Sequence, residues 1–407
     1  MVVLVNAYAC SPNMGSEPGM AWNWCIHLAK HCELHIITEG EFKEQIESAL
    51  PALPQGRNMH FYYNPVPANI RKMCWDQGDW RFYRYYKAWQ YKTYEMALNI
   101  MRTHHIDIVH QLNMIGFREP GYLWKIQHKP FIWGPVDARS KFPTAYLKGA
   151  SLRIKLVTHL KNLLNDIQLR YAKRVRRAVQ HASVVISASS NAQQTFRRYF
   201  GITSPLINET GCTIHKHPLQ DKLSKKNFDV LWVGKPDFRK QLGLAIRSVA
   251  ETKNAAIRLH IIGGGDDKAY RALASHLNIS ALCIWHGKLD HGIVQELMRR
   301  SDLFLFTSVA EGTPHVVLEA ISNDLPVLCF DTCGQGDVVN ETVGSKIALS
   351  DPGRSATDLA HEMNYLYSHR AELKKMSENC GARQQELSWD VKARSMVDHY
   401  RKISGGN

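Results

Sequence analysis

Short apolar runs that stop at a glycine or polar turn, with helical stretches between them, recur through both halves of this chain. That recurrence constrains the fold more than any other feature. Val2 to Asn6, Glu33 to Thr38, Ile106 to His110, Phe131 to Val136 and Ala182 to Ser189 read as buried strands in the first half. Asp229 to Gly234, His260 to Ile262, Leu303 to Phe306 and Pro326 to Phe330 read the same way in the second. Runs apolar on both faces belong in parallel sheets covered by helices, and strand, turn, helix, strand is the βαβ unit. A chain of 407 residues is too long for one core. The pattern therefore predicts an α/β protein of two Rossmann-like domains, over 1–205 and 206–385, with a terminal helix over 386–407. The break falls near Asn208-Glu209-Thr210-Gly211 and is followed by a polar segment from Lys216 to Asn227.

The second half is organised around Glu311-Gly312-Thr313-Pro314-His315-Val316-Val317-Leu318-Glu319. A proline two residues after a glycine suits the first turn of a helix, where its missing N–H is not needed. A helix starting near Pro314 leaves Glu311 in the entry loop and carries Glu319 about one and a half turns inside. The amides of Thr313, His315, Val316 and Val317 would point toward whatever Glu311 faces, and amides at a helix start suit phosphate oxygens. Taken alone, such a Glu pair is more often two solvated carboxylates. Its setting between the apolar runs Leu303–Phe306 and Pro326–Phe330 reverses that, because ligands bind at the carboxyl ends of parallel strands.

Glu311 to Glu319 resembles the E-x7-E signature of retaining glycosyltransferases, and its context resembles glycosyltransferase family 4 (glycosyl transferases group 1). The resemblance implies a GT-B fold, two Rossmann-like domains facing a central cleft, with the last helix crossing back onto the first. It implies an enzyme that moves a sugar, of hexosyl or N-acetylhexosaminyl class, from a UDP- or GDP-linked donor to an acceptor hydroxyl with retained configuration. By the same likeness Lys240 and Lys235 stand where two cations clamp the donor diphosphate. Lysine at 235 in place of the usual arginine gives up a bidentate grip, and Arg239 is a substitute. Gly234, the turn Gly263 to Gly265, and Gly287 correspond to donor-side turns, as do Thr313, Pro314, His315 and Val316. Glu311 orients the sugar ring and Glu319 the ribose. His110, at the end of an Asp-x-Val-His strand, is implied at the reacting face, whereas a lone histidine by itself is usually structural. Gly15, Ser16 and Glu17 correspond to a cleft loop that helps bind the acceptor or the donor phosphates, and Gly134 to a Gly-Pro-Val turn near the acceptor, unless both are tight turns only. Glu209-Thr210-Gly211 and Asn323-Asp324 depart from the family pattern. No Asp-x-Asp motif is present, so no metal or other cofactor is expected for the reaction, and the nucleotide-sugar is a substrate.

Charge adds a second constraint. Residues 1–195 hold 24 Lys and Arg against 13 Asp and Glu, while the remainder holds 27 against 24. A basic half facing a near-neutral one implies an anionic partner for the first. Between residues 71 and 94, Trp75, Trp80, Phe82, Tyr83, Tyr85, Tyr86, Trp89, Tyr91 and Tyr94 interleave with Arg and Lys. They could stack bases, sit at a membrane interface or pack a domain. Leu156, Leu160, Leu163, Leu164, Ile167, Tyr171 and Val175 recur at helical spacing, and residues 151–178 carry eight Lys and Arg against Asp166 alone. An anionic membrane surface and a glycan or lipid-linked acceptor are the expected partners, in surface polysaccharide or glycolipid assembly.

The start of the chain lacks a basic lead-in and a long apolar run, and no run spans a bilayer. Nine cysteines without a regular framework suit a reducing compartment. Cys329 and Cys333, with no partner pair or nearby histidine, are read as buried or loop thiols and not a zinc site. The expected location is cytoplasmic, peripheral to the inner face of the membrane. Two rivals stand beside this reading. A nucleotide-sugar epimerase can share the fold, and a basic nucleic-acid-binding protein would use the first half but leave the acidic pair without a role, so no nucleic acid is expected. A sugar-binding scaffold without activity is a third.

Overall fold

The computed structural model describes residues 1–76, 79–138, 141–214 and 226–405. The polar segment expected from Lys216 lies outside the described residues as far as 225. The chain divides into two compact units. The first comprises Met1–Arg139, Asn165–Thr210 and Trp389–Asn407, and the second comprises Ser140–Leu164 and Gly211–Ser388.

Each unit is built on one six-stranded sheet. In the first, the strands are β1 (Val2–Ala7), β2 (Glu33–Thr38), β3 (Met59–Tyr63), β4 (Ile108–Asn113), β5 (Phe131–Val136) and β6 (Val184–Ser187). They lie in the order β3-β2-β1-β4-β5-β6, all parallel. The second sheet holds β7 (Phe228–Val233), β8 (Ile257–Ile262), β9 (Cys283–Gly287), β10 (Leu303–Phe306), β11 (Val327–Phe330) and β12 (Gly344–Ile347). Its order is β12-β11-β10-β7-β8-β9, again all parallel. Renumbered from β7, this repeats the first sheet, and both are doubly wound arrangements of the Rossmann type.

Burial follows the two-residue period of a strand covered on both faces. Val3 and Val5 join a core cluster with Trp24, Leu28, Met396 and Tyr400, whereas Leu4 joins another with Ile100, Trp133 and Phe196. On β10, Leu303 and Leu305 face Trp232 and Leu359, and Phe304 and Phe306 face Met298 and Ile321. The helix Trp389–Ser404 buries Trp389, Ala393, Met396, Val397 and Tyr400 within the first unit. Its Trp389 ring meets Trp24 edge-on at 5.8 Å between centroids.

One sequence expectation changes here, and two stretches that the sequence left open are placed. Residues 140–164, read as part of the first domain, group with the second unit. Tyr146 is buried in that unit's core, its Oη 2.7 Å from Ser355 Oγ and its ring 5.7 Å from Phe330. The apolar stripe of the helix Leu152–Tyr171 does not face a core. Its buried residues are Asn165 and Leu169, while Leu152, Leu156, Leu160, Leu163, Ile167 and Tyr171 are exposed. The aromatic stretch splits: Phe82, Tyr86 and Trp89 pack around Tyr8, whereas Trp80, Tyr83, Tyr85 and Tyr91 remain exposed. Among the described residues no helix is long and apolar enough to cross a membrane. All nine cysteines are free thiols, eight of them buried.

Candidate active site

In a doubly wound sheet the strand order reverses between two neighbouring strands, and the loops leaving their carboxyl ends form a crevice there. In the second sheet those neighbours are β7 and β10. The loop after β7 runs Gly234-Lys235-Pro236-Asp237 into a short 3-10 turn, Phe238–Lys240. The loop after β10 runs from Thr307 to Pro314, which is the N-cap of the helix His315–Ser322. Both carry the residues singled out from the sequence.

The two loops meet at Glu311. Lys240 Nζ lies 2.8 Å from Glu311 Oε1, and Arg239 Nη1 lies 3.4 Å from Oε2. Ser308 Oγ is 2.7 Å from the same Oε1. Glu311 and Lys240 are mostly buried, at 12% and 16% side-chain exposure, while Arg239 is 40% exposed. The Lys240 ammonium also sits over the Phe306 ring, 4.9 Å from its centroid, a contact that favours the cation. Three cations, Lys235, Arg239 and Lys240, thus stand in one loop with Asp237, opposite Glu311. It is Arg239 and Lys240, not Lys235, that reach Glu311.

Asp237 was not singled out from the sequence as more than part of the loop, yet it shapes the turn. Its carboxylate accepts from the amides of Arg239 (2.9 Å) and Lys240 (3.2 Å) and from Arg239 Nη2 (3.1 Å). An Asp three residues ahead of a lysine, at the start of a turn, is the signal that could have found it. Thr307 ties the loops from the other side: its Oγ1 donates to the Lys240 carbonyl at 2.8 Å and accepts from Trp232 Nε1 at 3.1 Å. The fully buried Gln335 donates to the Ser308 carbonyl at 3.2 Å.

Glycines set the loop spacing. A Cβ on Gly263, whose φ is +152°, would fall 1.8 Å from the Gly234 carbonyl oxygen. The close approach that calls for glycine there is made by the neighbouring loop of the protein itself. Gly263 N–H in turn donates to the Gly287 carbonyl at 2.8 Å, and Gly265 lies in the same turn. At Gly334 a Cβ would lie 2.5 Å from Thr313 Cα, and the Gly334 amide donates to the Gly312 carbonyl at 3.0 Å. The turn after β11 is thereby seated on the Gly312-Thr313 entry to the helix.

The helix mouth differs in detail from the sequence expectation. The Val317 amide donates to the Pro314 carbonyl at 3.1 Å, so it is spent within the first turn. His315 is half-buried, and burial lowers its pKa, which favours the neutral ring. Glu319 is half-exposed and its Oε1 lies 3.5 Å from His291 Nε2.

In the first unit the corresponding crossover lies between β1 and β4. Gly15 is the N-cap of the helix Ser16–Leu28, and Glu17 Oε1 accepts from the Ile115 amide at 3.3 Å, joining the loops after β1 and β4. His110, implied at the reacting face, is instead fully enclosed. Its Nε2 lies 2.5 Å from the Gly134 carbonyl and its Nδ1 2.6 Å from Tyr400 Oη. A neutral ring satisfies both, donating from Nε2 to Gly134 and accepting from the tyrosine hydroxyl. Burial pushes its pKa down to about 4, against the hydrogen bond to Gly134. The reason for the correction is β4 itself, which is buried along its whole length. Gly134 therefore acts as the acceptor for His110.

Over its full length the chain resembles the lipopolysaccharide outer core galactosyltransferase WaaB in its apo form. The TM-score is 0.64 at 18% identity, covering 98% of this chain and 99% of that one. It likewise resembles Anabaena Alr3699/HepE in complex with UDP, at TM-score 0.61, 14% identity and 99% and 100% coverage. The fold is GT-B. Residues 215–383 of this GT-B chain match the model of the family described as glycosyl transferases group 1. The matched segment contains both loops that meet at Glu311. The putative teichuronic acid biosynthesis glycosyltransferase TuaC of Bacillus subtilis is 28% identical over 215 residues, 48% of this chain and 50% of that protein. The chain spans about half or less of the length of the curated relatives it matches.

Chemically, the second unit offers cations and a helix mouth on one side of a buried carboxylate. An incoming diphosphate can take over Lys240 and Arg239, which releases Glu311 to accept from hydroxyl groups. Such a cluster has the chemistry to hold an anion on its cations or hydroxyl groups on its carboxylate.

Proposed function

We propose that this protein is a retaining glycosyltransferase of family 4 type. It would transfer a hexosyl or N-acetylhexosaminyl group from a UDP- or GDP-linked sugar to a glycan or lipid-linked acceptor in surface polysaccharide or glycolipid assembly. The observation that carries the reading is the Lys240–Glu311–Arg239 cluster at the β7/β10 crossover. The group 1 match over the same residues supports it, as do a UDP-bound structural neighbour and relatives named for lipopolysaccharide and teichuronic acid assembly.

In this reading Lys240 and Arg239 hold the diphosphate and stabilise the charge gathering on it as the glycosidic bond breaks. Lys235 adds a point charge, and the entry from Thr313 to Val316 adds main-chain dipoles. Glu311, freed from its cations, orients the sugar ring, and Glu319 accepts from the ribose. The acceptor oxygen forms its bond to the anomeric carbon as the bond to the diphosphate breaks, and its proton passes to a diphosphate oxygen. The two cations supply the counter-charge, so the reading calls for no metal in the reaction. Gly15, Ser16 and Glu17 belong to the acceptor side.

The exposed stripe of the helix Leu152–Tyr171, flanked by Arg153, Lys155, Lys161 and Arg170, is the proposed contact with anionic lipid at the cytoplasmic face of a membrane. Arg174 is not available for that role, since it is paired with Glu119.

The test is a panel of UDP- and GDP-sugars scored for thermal stabilisation and for donor hydrolysis. One donor, or one base, should raise the melting temperature and be turned over. No response to any nucleotide or nucleotide-sugar would remove the reading, and product formed from a donor without acceptor or hydrolysis would favour an epimerase.

A further inference from the structure

At the start of β2, Glu33 and His35 lie two residues apart, so their side chains leave the sheet on the same face. In the parallel register His35 is the partner of His60 on the edge strand β3, which sets the second imidazole beside the first. The ligand-capable atoms of Glu33, His35 and His60 all lie within 4.8 Å of one another. Glu33 Oε1 is 3.2 Å from His60 Nε2 and 3.5 Å from His35 Nε2.

Those distances have a specific reading. Around a tetrahedral zinc with bonds of about 2.0–2.1 Å, neighbouring ligand atoms sit ~3.3 Å apart. The two measured edges bracket that value, and the third closes with small movements of Glu33 and His60, both of which are partly exposed. The inner ligand is already fixed. His35 is 1% exposed, and its Nδ1 is 2.9 Å from Tyr62 Oη. A hydrogen bond on the far nitrogen of a histidine is the outer contact that orients a metal ligand and selects its tautomer. With the hydrogen on Nδ1 and donated to the tyrosine oxygen, Nε2 is the lone-pair atom, and this buried Nε2 makes no hydrogen bond at 3.5 Å from Glu33 Oε1. In that tautomer the lone pair and the carboxylate oxygen face each other across a gap that a cation would fill. The His104 ring, 4.6 Å from that of His35 between centroids, borders the same spot.

We infer that Glu33, His35 and His60 form a binding site for a divalent transition metal, with Zn2+ the best match to a two-imidazole, one-carboxylate set. The fourth position is left to water. Bound there, the ion would tie the edge strand β3 to β2. The site belongs wholly to the first unit and is built from none of the residues assigned to the donor. It therefore stands or falls independently of the proposed transfer reaction.

The test uses the full chain without a histidine tag, stripped with EDTA and then freed of it. Zn2+ is titrated against a chromophoric chelator, and Co2+ is added in a parallel experiment to read its visible ligand-field bands. The comparison protein carries Glu33→Gln and His60→Gln, two partly exposed positions whose replacement leaves the buried His35 in place. Its melting curve in EDTA verifies that it is folded. The wild type should bind one more equivalent of Zn2+ than the double variant. It should also give the intense Co2+ bands of a four-coordinate site and gain a few degrees in melting temperature with Zn2+. Equal stoichiometry in the two proteins, or no Zn2+ bound by the wild type, overturns the assignment and leaves an ordinary carboxylate–imidazole cluster.

Discussion

Lys240 Nζ stands 2.8 Å from Glu311 Oε1, and the two residues leave the sheet on the loops after β7 and β10. The crossover of strand order between those strands makes them neighbours in space. A partly buried ion pair that a polyanionic ligand can open is a poised arrangement, because the low local dielectric that strengthens the pair also strengthens whatever replaces it.

Replacing Lys240 by alanine should lower turnover by roughly 10²–10³-fold, the scale of losing one positioned donor to a developing oxyanion. Arg239→Ala, at a more exposed position, should cost about tenfold, since solvent screens its charge. Steady-state rates on the donor found in the panel, with circular dichroism to verify folding, decide the matter. Wild-type rates for Lys240→Ala would dissociate the cluster from the chemistry.

Gly263→Ala tests the loop architecture without touching a charge. The new Cβ would meet the Gly234 carbonyl at 1.8 Å, on a backbone whose φ of +152° side chains avoid. A loss of ~3 kcal/mol in urea denaturation is expected from strain and clash together. An unchanged midpoint would mean that the β7 and β8 loops do not pack this closely.

His110 gives a pH signature. Its folded pKa of about 4 lies below the ordinary 6.5, so between those values the unfolded chain binds a proton that the folded chain does not. Its effect is absent above about pH 6.5, and stability falls as the pH drops toward 4, by ~3 kcal/mol in full. His110→Gln, neutral throughout, should give a flatter profile of urea midpoint against pH. Parallel profiles for the two proteins would contradict the buried neutral ring.

Exposed leucines on the helix Leu152–Tyr171 can be changed with little cost to folding. Leu156→Glu with Leu163→Glu should reduce flotation with phosphatidylglycerol vesicles by at least tenfold, given about 1.5–3 kcal/mol for fully burying each leucine. Added salt should weaken wild-type binding further, through the flanking Arg and Lys. Equal flotation of both proteins at all salt concentrations would leave the stripe without a lipid partner.

The residues that meet at Glu311 stood out in the sequence. Lys240, Arg239 and Glu311 were singled out by their place after buried strands, and the helix begins at the residue after Pro314 as the glycine and proline suggested. Ser308, Thr307 and Asp237 were harder to weigh, because a hydroxyl or carboxylate in a loop takes its meaning from what it faces. His110 was misplaced for the same reason: strand position alone does not reveal that Tyr400, 290 positions away, closes over one nitrogen. The edge strands β3 and β12 are short and carry polar residues within them, so neither announced itself.

Residue order alone determined the two doubly wound sheets, since runs apolar on both faces can be buried only between helices. It also determined which loops carry charge. Tertiary structure decided which faces are hidden. The helix Leu152–Tyr171 has the periodicity of a core helix yet turns its leucines outward, and residues 140–164 join the second unit through Tyr146. It also brought His60 to His35, because strand register, unlike periodicity, depends on partners far away in the chain.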